Sequence, residues 1–125
     1  MDTDELVQEI GSLVLGDQEL SSWQASNVVL VAQIGSNSSQ VNGFAYQETG
    51  RAVPTSPDDF NILKKLKELR AAMSLPGKVD WLACVVRINM RAGTIDIDFE
   101  YDEPDKWLIT PATLGRMAEA LRPTK

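Results

Sequence analysis

Residues 81–102 read Trp81-Leu82-Ala83-Cys84-Val85-Val86-Arg87-Ile88-Asn89-Met90-Arg91-Ala92-Gly93-Thr94-Ile95-Asp96-Ile97-Asp98-Phe99-Glu100-Tyr101-Asp102. Leu82, Cys84, Val86, Ile88 and Met90 are apolar at alternate positions, and after Ala92-Gly93 the alternation resumes with Ile95, Ile97, Phe99 and Tyr101. A period of two marks a half-buried strand, so the stretch predicts a hairpin over 79–102. A two-residue turn at Ala92-Gly93 pairs Met90 with Ile95, Ile88 with Ile97, Val86 with Phe99 and Cys84 with Tyr101. It also sets Arg87 opposite Asp98 on the outer face. Apolar then meets apolar at every rung.

Upstream, residues 27–34 predict another strand, with Val28, Leu30, Ala32 and Ile34 on one face and Asn27, Val29, Val31 and Gln33 on the other. Turn chemistry at Gly35-Ser36-Asn37-Ser38-Ser39 leads to a partner strand near 40–48 containing Phe44 and Tyr46. Residues 49–57, with Gly50, Pro54 and Pro57, read as a loop. Three helices complete the pattern. The first covers 2–15, capped by Asp2 or Thr3 with Glu5 at capping-box spacing, and carries the stripe Leu6, Val7, Ile10, Leu13, Val14 before Gly16-Asp17. The second opens with Ser56 as cap, Pro57 in the first turn and Asp59 completing the box. Its stripe is Ile62, Leu66, Leu69 and Met73, flanked by Phe60 and Leu63, with Lys64, Lys65, Lys67 and Arg70 as a solvated basic face and Pro76-Gly77 as the stop. The last covers 111–121, with Thr110 as cap, Pro111 first, and Leu114, Met117, Ala118 and Leu121 facing inward.

The expected fold is therefore α+β, in the order α-ββ-α-ββ-α: a four-stranded antiparallel sheet from two hairpins, with helices on one face. The other face is left to solvent or a partner. At 125 residues the chain fits one domain spanning 1–125. Its 43% hydrophobic and 24% charged residues argue against disorder.

With no histidine, a Ser–His–Asp triad, a Cys–His dyad and a His-containing zinc site are excluded. Cys84 is the only cysteine, so it forms no intramolecular disulfide, and its place on the buried face makes an inert thiol. No apolar run approaches the roughly 20 residues of a membrane span. Met1-Asp2-Thr3-Asp4-Glu5 is acidic where a signal peptide would be basic. These features point to the cytoplasm, with no membrane partner. The net charge of −6 opposes nucleic-acid binding and favours basic partners.

The chemically suggestive cluster is Asp96, Asp98, Glu100 and Asp102, followed by Glu103, Asp105 and then Trp107: six carboxylates within ten residues, with no base among them. On a strand the first four form a ladder on the outer face, with roughly 6.6–6.8 Å between alternate residues. The bland reading is solvent-facing polarity, partly neutralised by Arg87 and Arg91. The functional reading is a binding face. Stacked like charges cost stability that a basic partner recovers, and Trp81, Val85, Val29 and Val31 would form an apolar centre rimmed by carboxylates. The run lacks the glycine turn of a calcium loop, and parallel carboxylates do not converge on one ion. No metal, cofactor or catalytic residue is expected.

The segment Ile97-Asp98-Phe99-Glu100-Tyr101-Asp102-Glu103-Pro104, with the preceding strand from Trp81 to Met90, resembles the YezG-like immunity proteins of bacterial polymorphic and contact-dependent toxin systems. Trp23, the strand Val28 to Ile34 and Phe44-Ala45-Tyr46 are similar to an earlier hairpin of that family, so the resemblance spans residues 23 to 107. It implies an antidote that binds a cognate toxin domain tightly and blocks its active site or its access to substrate. The chain is expected not to be an enzyme, and to be a monomer when free or a one-to-one heterodimer with the toxin. Many such toxins are nucleases, whose basic surfaces an acidic ladder would match. The sites expected to contact the toxin are Asp96, Asp98, Glu100, Asp102, Glu103, Asp105, Trp107 and Trp81. The alternative is an acidic secretion chaperone, a homodimer using an exposed sheet to hold an exported effector.

Overall fold

In a computed structural model describing residues 2–35 and 38–123, the chain runs α1 (Thr3–Leu15), α2 (Gln18–Ser22), β1 (Asn27–Ile34), β2 (Ser39–Tyr46), β3 (Ala52–Thr55), α3 (Phe60–Ala72), β4 (Ala83–Asn89), β5 (Thr94–Glu100) and α4 (Leu114–Ala120). The α+β class stands, but among the described residues the sheet has five strands, in the order β3-β2-β1-β4-β5, every neighbouring pair antiparallel. The extra strand, β3, falls where a loop was expected. Its Pro54 sits on an edge strand, where the missing N–H leaves no ladder bond unmade. The turn expected over 35–39 lies partly outside the described residues.

The central strand, β1, is buried on both faces, with Val28, Val29, Leu30 and Ala32 all at 0% exposure. One face packs against α1 and α3. Leu6, Ile10 and Val14 of α1 and Ile62, Leu66 and Leu69 of α3 meet Val28, Leu30, Ala32, Cys84, Val86 and Ile88. Asp2 caps α1 by accepting the Glu5 N–H at 2.8 Å, as the capping-box spacing predicts. α3 starts three residues later than expected. Asp59, not Ser56, is its cap and accepts the Asn61 N–H at 2.9 Å. Phe60 then points outward, 91% exposed, rather than flanking the buried stripe.

The second face is not open. Met117 and Leu121 pack onto Val29, Val31, Phe44, Tyr46 and Val85, joined by Trp107, Ile109, Leu114 and Ala118. A seven-residue helix is unstable alone. Burial holds it: Met117 and Leu121 each contribute about 1.5–3 kcal/mol by leaving water. The Tyr46 hydroxyl donates to the Ala118 carbonyl at 2.8 Å and fixes the helix along the sheet. Helices therefore lie on both faces, not one. The expected helix over 111–121 begins only at Leu114; Thr110 and Thr113 bond each other's N–H groups in the turn before it.

The hairpin of β4 and β5 keeps its expected faces but not its expected register. Asn89 pairs with Thr94, Ile88 with Ile95, Val86 with Ile97 and Cys84 with Phe99. The loop is thus Met90-Arg91-Ala92-Gly93, not the two-residue turn Ala92-Gly93. The Asn89 side chain accepts the N–H groups of Arg91 and Ala92 at 3.0 and 2.9 Å, and Gly93 takes φ +73° to close the turn. The slip is of two residues, so each side chain stays on its own face.

Candidate functional site

β5 is one edge of the sheet, and it positions the acidic run. Ile95, Ile97 and Phe99 turn towards the α1–α3 core, while Asp96 and Asp98 project from the opposite face and are exposed. Arg87, across the strand pair from Asp96, reaches diagonally to Asp98 and forms an ion pair with it. In an exposed pair such an interaction is worth only about 0.2–1 kcal/mol to stability.

The ladder ends at Glu100 rather than continuing to Asp102. The Glu100 carboxylate folds back and accepts the N–H groups of Asp102 and Glu103 at 3.1 and 3.0 Å, which turns the chain out of the strand. Lys106 lies 3.6 Å from the same carboxylate. The two backbone donors, aided by Lys106, hold the Glu100 carboxyl below its ordinary value. Only 13% of this side chain is exposed, so Glu100 organises the loop rather than presenting charge.

Asp102, Glu103 and Asp105 occupy that loop and are exposed. Gln33 of β1 donates to the Pro104 carbonyl at 2.6 Å and to Asp105 at 3.3 Å, and is itself held by Gln40 at 2.8 Å. The loop is thereby tied to the sheet. Among the described residues no salt bridge reaches Asp96, Asp102 or Glu103.

Two of the aromatic contacts expected from sequence are placed differently. Trp81 is 1% exposed and belongs to the α1–α3 core, its ring 5.2 Å from that of Phe99. It precedes the first residue of β4, so strand alternation does not govern it. Arg70 donates to the Trp81 carbonyl at 2.5 Å and holds the segment there. Trp107 is half-buried against the second core, with Lys106 5.3 Å above its ring. Val85, Val29 and Val31 do share the outer face, but all are buried beneath the C-terminal segment.

Sequence reading missed Tyr101. Alternation places it on the buried face opposite Cys84. Phe99 takes that place, and Tyr101 stands 44% exposed just beyond the strand, between Glu100 and Asp102. A large aromatic flanked by carboxylates is a common interface anchor. The D-F-E-Y-D alternation was the available signal, and it suited either face of a strand.

Cys84 is fully buried, as expected, and burial pushes its thiol up to about 12. Among the described residues no group of three or more carboxylate or thiol side chains is placed to hold a metal ion. None of the helices in the described residues is long and apolar enough to cross a membrane.

No family model matches the chain, and no curated protein matches it.

Proposed function

We propose that the chain is an immunity protein that binds and neutralises a cognate toxin domain through the acidic edge formed by β5 and the loop after it. The observation that carries this reading is the exposed carboxylate set Asp96, Asp98, Asp102, Glu103 and Asp105, which runs from the edge strand β5 into the loop after it, a loop turned by Glu100 and tied to the central strand through Gln33. Concentrated negative charge on a fixed scaffold steers a basic partner into register. Tyr101 supplies an aromatic anchor in its midst. The resemblance of residues 97–104 to the YezG-like family agrees with this use. A nuclease toxin, with a groove built for phosphates, has the matching charge.

The secretion-chaperone reading has less support. It draws on an exposed sheet face, and here both faces carry packed helices.

The test is co-expression with the C-terminal domain encoded by the adjacent gene, read as rescue of growth and as nanomolar binding of the purified pair. The quadruple variant Asp96→Asn, Asp98→Asn, Asp102→Asn, Glu103→Gln should associate more slowly and with a flatter salt dependence, at unchanged thermal stability. Toxin that kills despite the intact protein would refute the proposal. Binding unaffected by the four substitutions would remove the acidic edge from it.

A further inference from the structure

The two edges of the sheet are finished differently. β3 is four residues long and carries Pro54, both of which block addition of another strand. β5 is seven residues long and contains no proline or glycine. Among the described residues nothing pairs with its outer side.

The core is also unclosed there. On β4, Cys84, Val86 and Ile88 are at 0–1% exposure. Their partners on β5, Phe99, Ile97 and Ile95, are only half-buried. One more strand beside β5 would cover these three side chains, as β4 covers their other flank.

The outer face of β5 selects what that strand carries. A second copy of this chain, pairing edge to edge about a twofold axis, would set Asp96 and Asp98 directly against the same two residues. Like charges directly opposite are destabilising, so the edge rejects itself. A strand bearing Lys or Arg at the facing positions, and apolar residues at the alternate ones, would satisfy both sides.

We infer that β5 is a strand-addition site: an extended segment of the partner protein, alternating basic and apolar residues, extends the sheet as a sixth strand. This rests on the reading that the chain binds a partner protein, and it specifies the contact as backbone pairing rather than charge apposition alone. Main-chain bonds supply affinity in this mode, and alternate side chains supply specificity.

The probe is a synthetic octapeptide alternating lysine and valine, compared with one alternating glutamate and valine. Amide exchange of the full chain is followed residue by residue. With the lysine peptide at ten times its Kd, outward amides within Thr94–Glu100 should exchange about tenfold more slowly by mass action, while β3 amides stay unchanged. The glutamate peptide should give no protection. In Asp96→Lys, Asp98→Lys, both on exposed positions, the preference should reverse. No protection of β5 at millimolar lysine peptide, or equal protection by both peptides, would overturn the inference. Repeating the measurement with the toxin domain separates the two levels. Toxin that binds and leaves β5 amides unprotected defeats strand addition but not immunity. Lysine peptide that adds to β5 while the toxin fails to bind defeats immunity but not strand addition.

Discussion

The carboxylate of Asp17 accepts the backbone N–H of Asp59 across 42 positions of chain, at 2.9 Å, while its other oxygen accepts the N–H of Leu20 at 3.0 Å. Asp17 is 2% exposed, and it joins the start of α2 to the cap residue of α3. Asp17→Ala removes a cap and leaves the Asp59 N–H without its partner. The cap is worth about 0.5–2 kcal/mol and the unmet donor about 1–3 kcal/mol, so a loss near 3 kcal/mol is expected in urea unfolding. Asp17→Asn should recover only part of it, because its amide turns a donor towards one of the two N–H groups. A loss below 1 kcal/mol for Asp17→Ala would show that this junction carries little.

Trp81→Ala separates a core residue from a contact residue. The ring is buried against Phe99, so truncation should cost about 3–5 kcal/mol. A melting experiment decides it: unchanged stability with weakened partner binding would return Trp81 to the surface.

Two glycines should respond oppositely to alanine. A Cβ on Gly43 would lie 1.9 Å from the Val29 carbonyl oxygen, a backbone atom of the central strand that has no room to shift. Gly43→Ala should therefore destabilise by about 3 kcal/mol or more, at the upper end of overpacking costs. A Cβ on Gly11, inside α1, would meet Ile95 at an ordinary 3.4–3.6 Å. Gly11→Ala should stabilise by about 0.5–1 kcal/mol through helix propensity. Denaturant midpoints of both variants check the pair; the same sign in both would refute the packing described for one of them.

Cys84 should make the protein less stable in alkali. Its thiol ionises near 12 in the fold and near 9.0 when unfolded. The folded group keeps its proton over that range, so stability is intact below pH 9 and falls as pH rises above it. Tyr46, raised to about 12 by burial, adds a second loss beginning near pH 10. Urea midpoints at pH 8 and pH 10 should diverge less in Cys84→Ala than in the parent. An aromatic disulfide reagent should modify Cys84 only at the rate of unfolding, and rapid native-state reaction would contradict its burial.

Much of the fold was legible in alternation and caps. β1 was legible with its observed bounds, and of the stripe expected for α3, Ile62, Leu66 and Leu69 are buried while Met73 is its half-buried C-cap. β3 was not legible, because Pro54 within four residues reads as a breaker and only the edge position excuses it. The hairpin register was not legible for a different reason. A shift of two preserves apolar pairing, so the pattern could not choose between registers, and the Asn89 side chain did. The covered second face has a signal in the sequence: Val29 and Val31 make β1 a nearly continuous apolar run, which is how a strand buried on both sides looks. Of the acidic run, Asp96 and Asp98 behave as alternation predicts. The inward turn of Glu100 depends on backbone donors that composition does not display.

The packing of residues 107–121 over the sheet has a consequence for how the protein is made. Chains emerge from the ribosome N-terminus first, so all five strands are available before their second cover exists. Until Met117 and Leu121 arrive, Val29, Val31, Phe44 and Val85 present an oily stripe to the crowded cell. Synthesis halted shortly before Trp107 would release a folded-looking but adhesive fragment, prone to clump or to be captured by quality control.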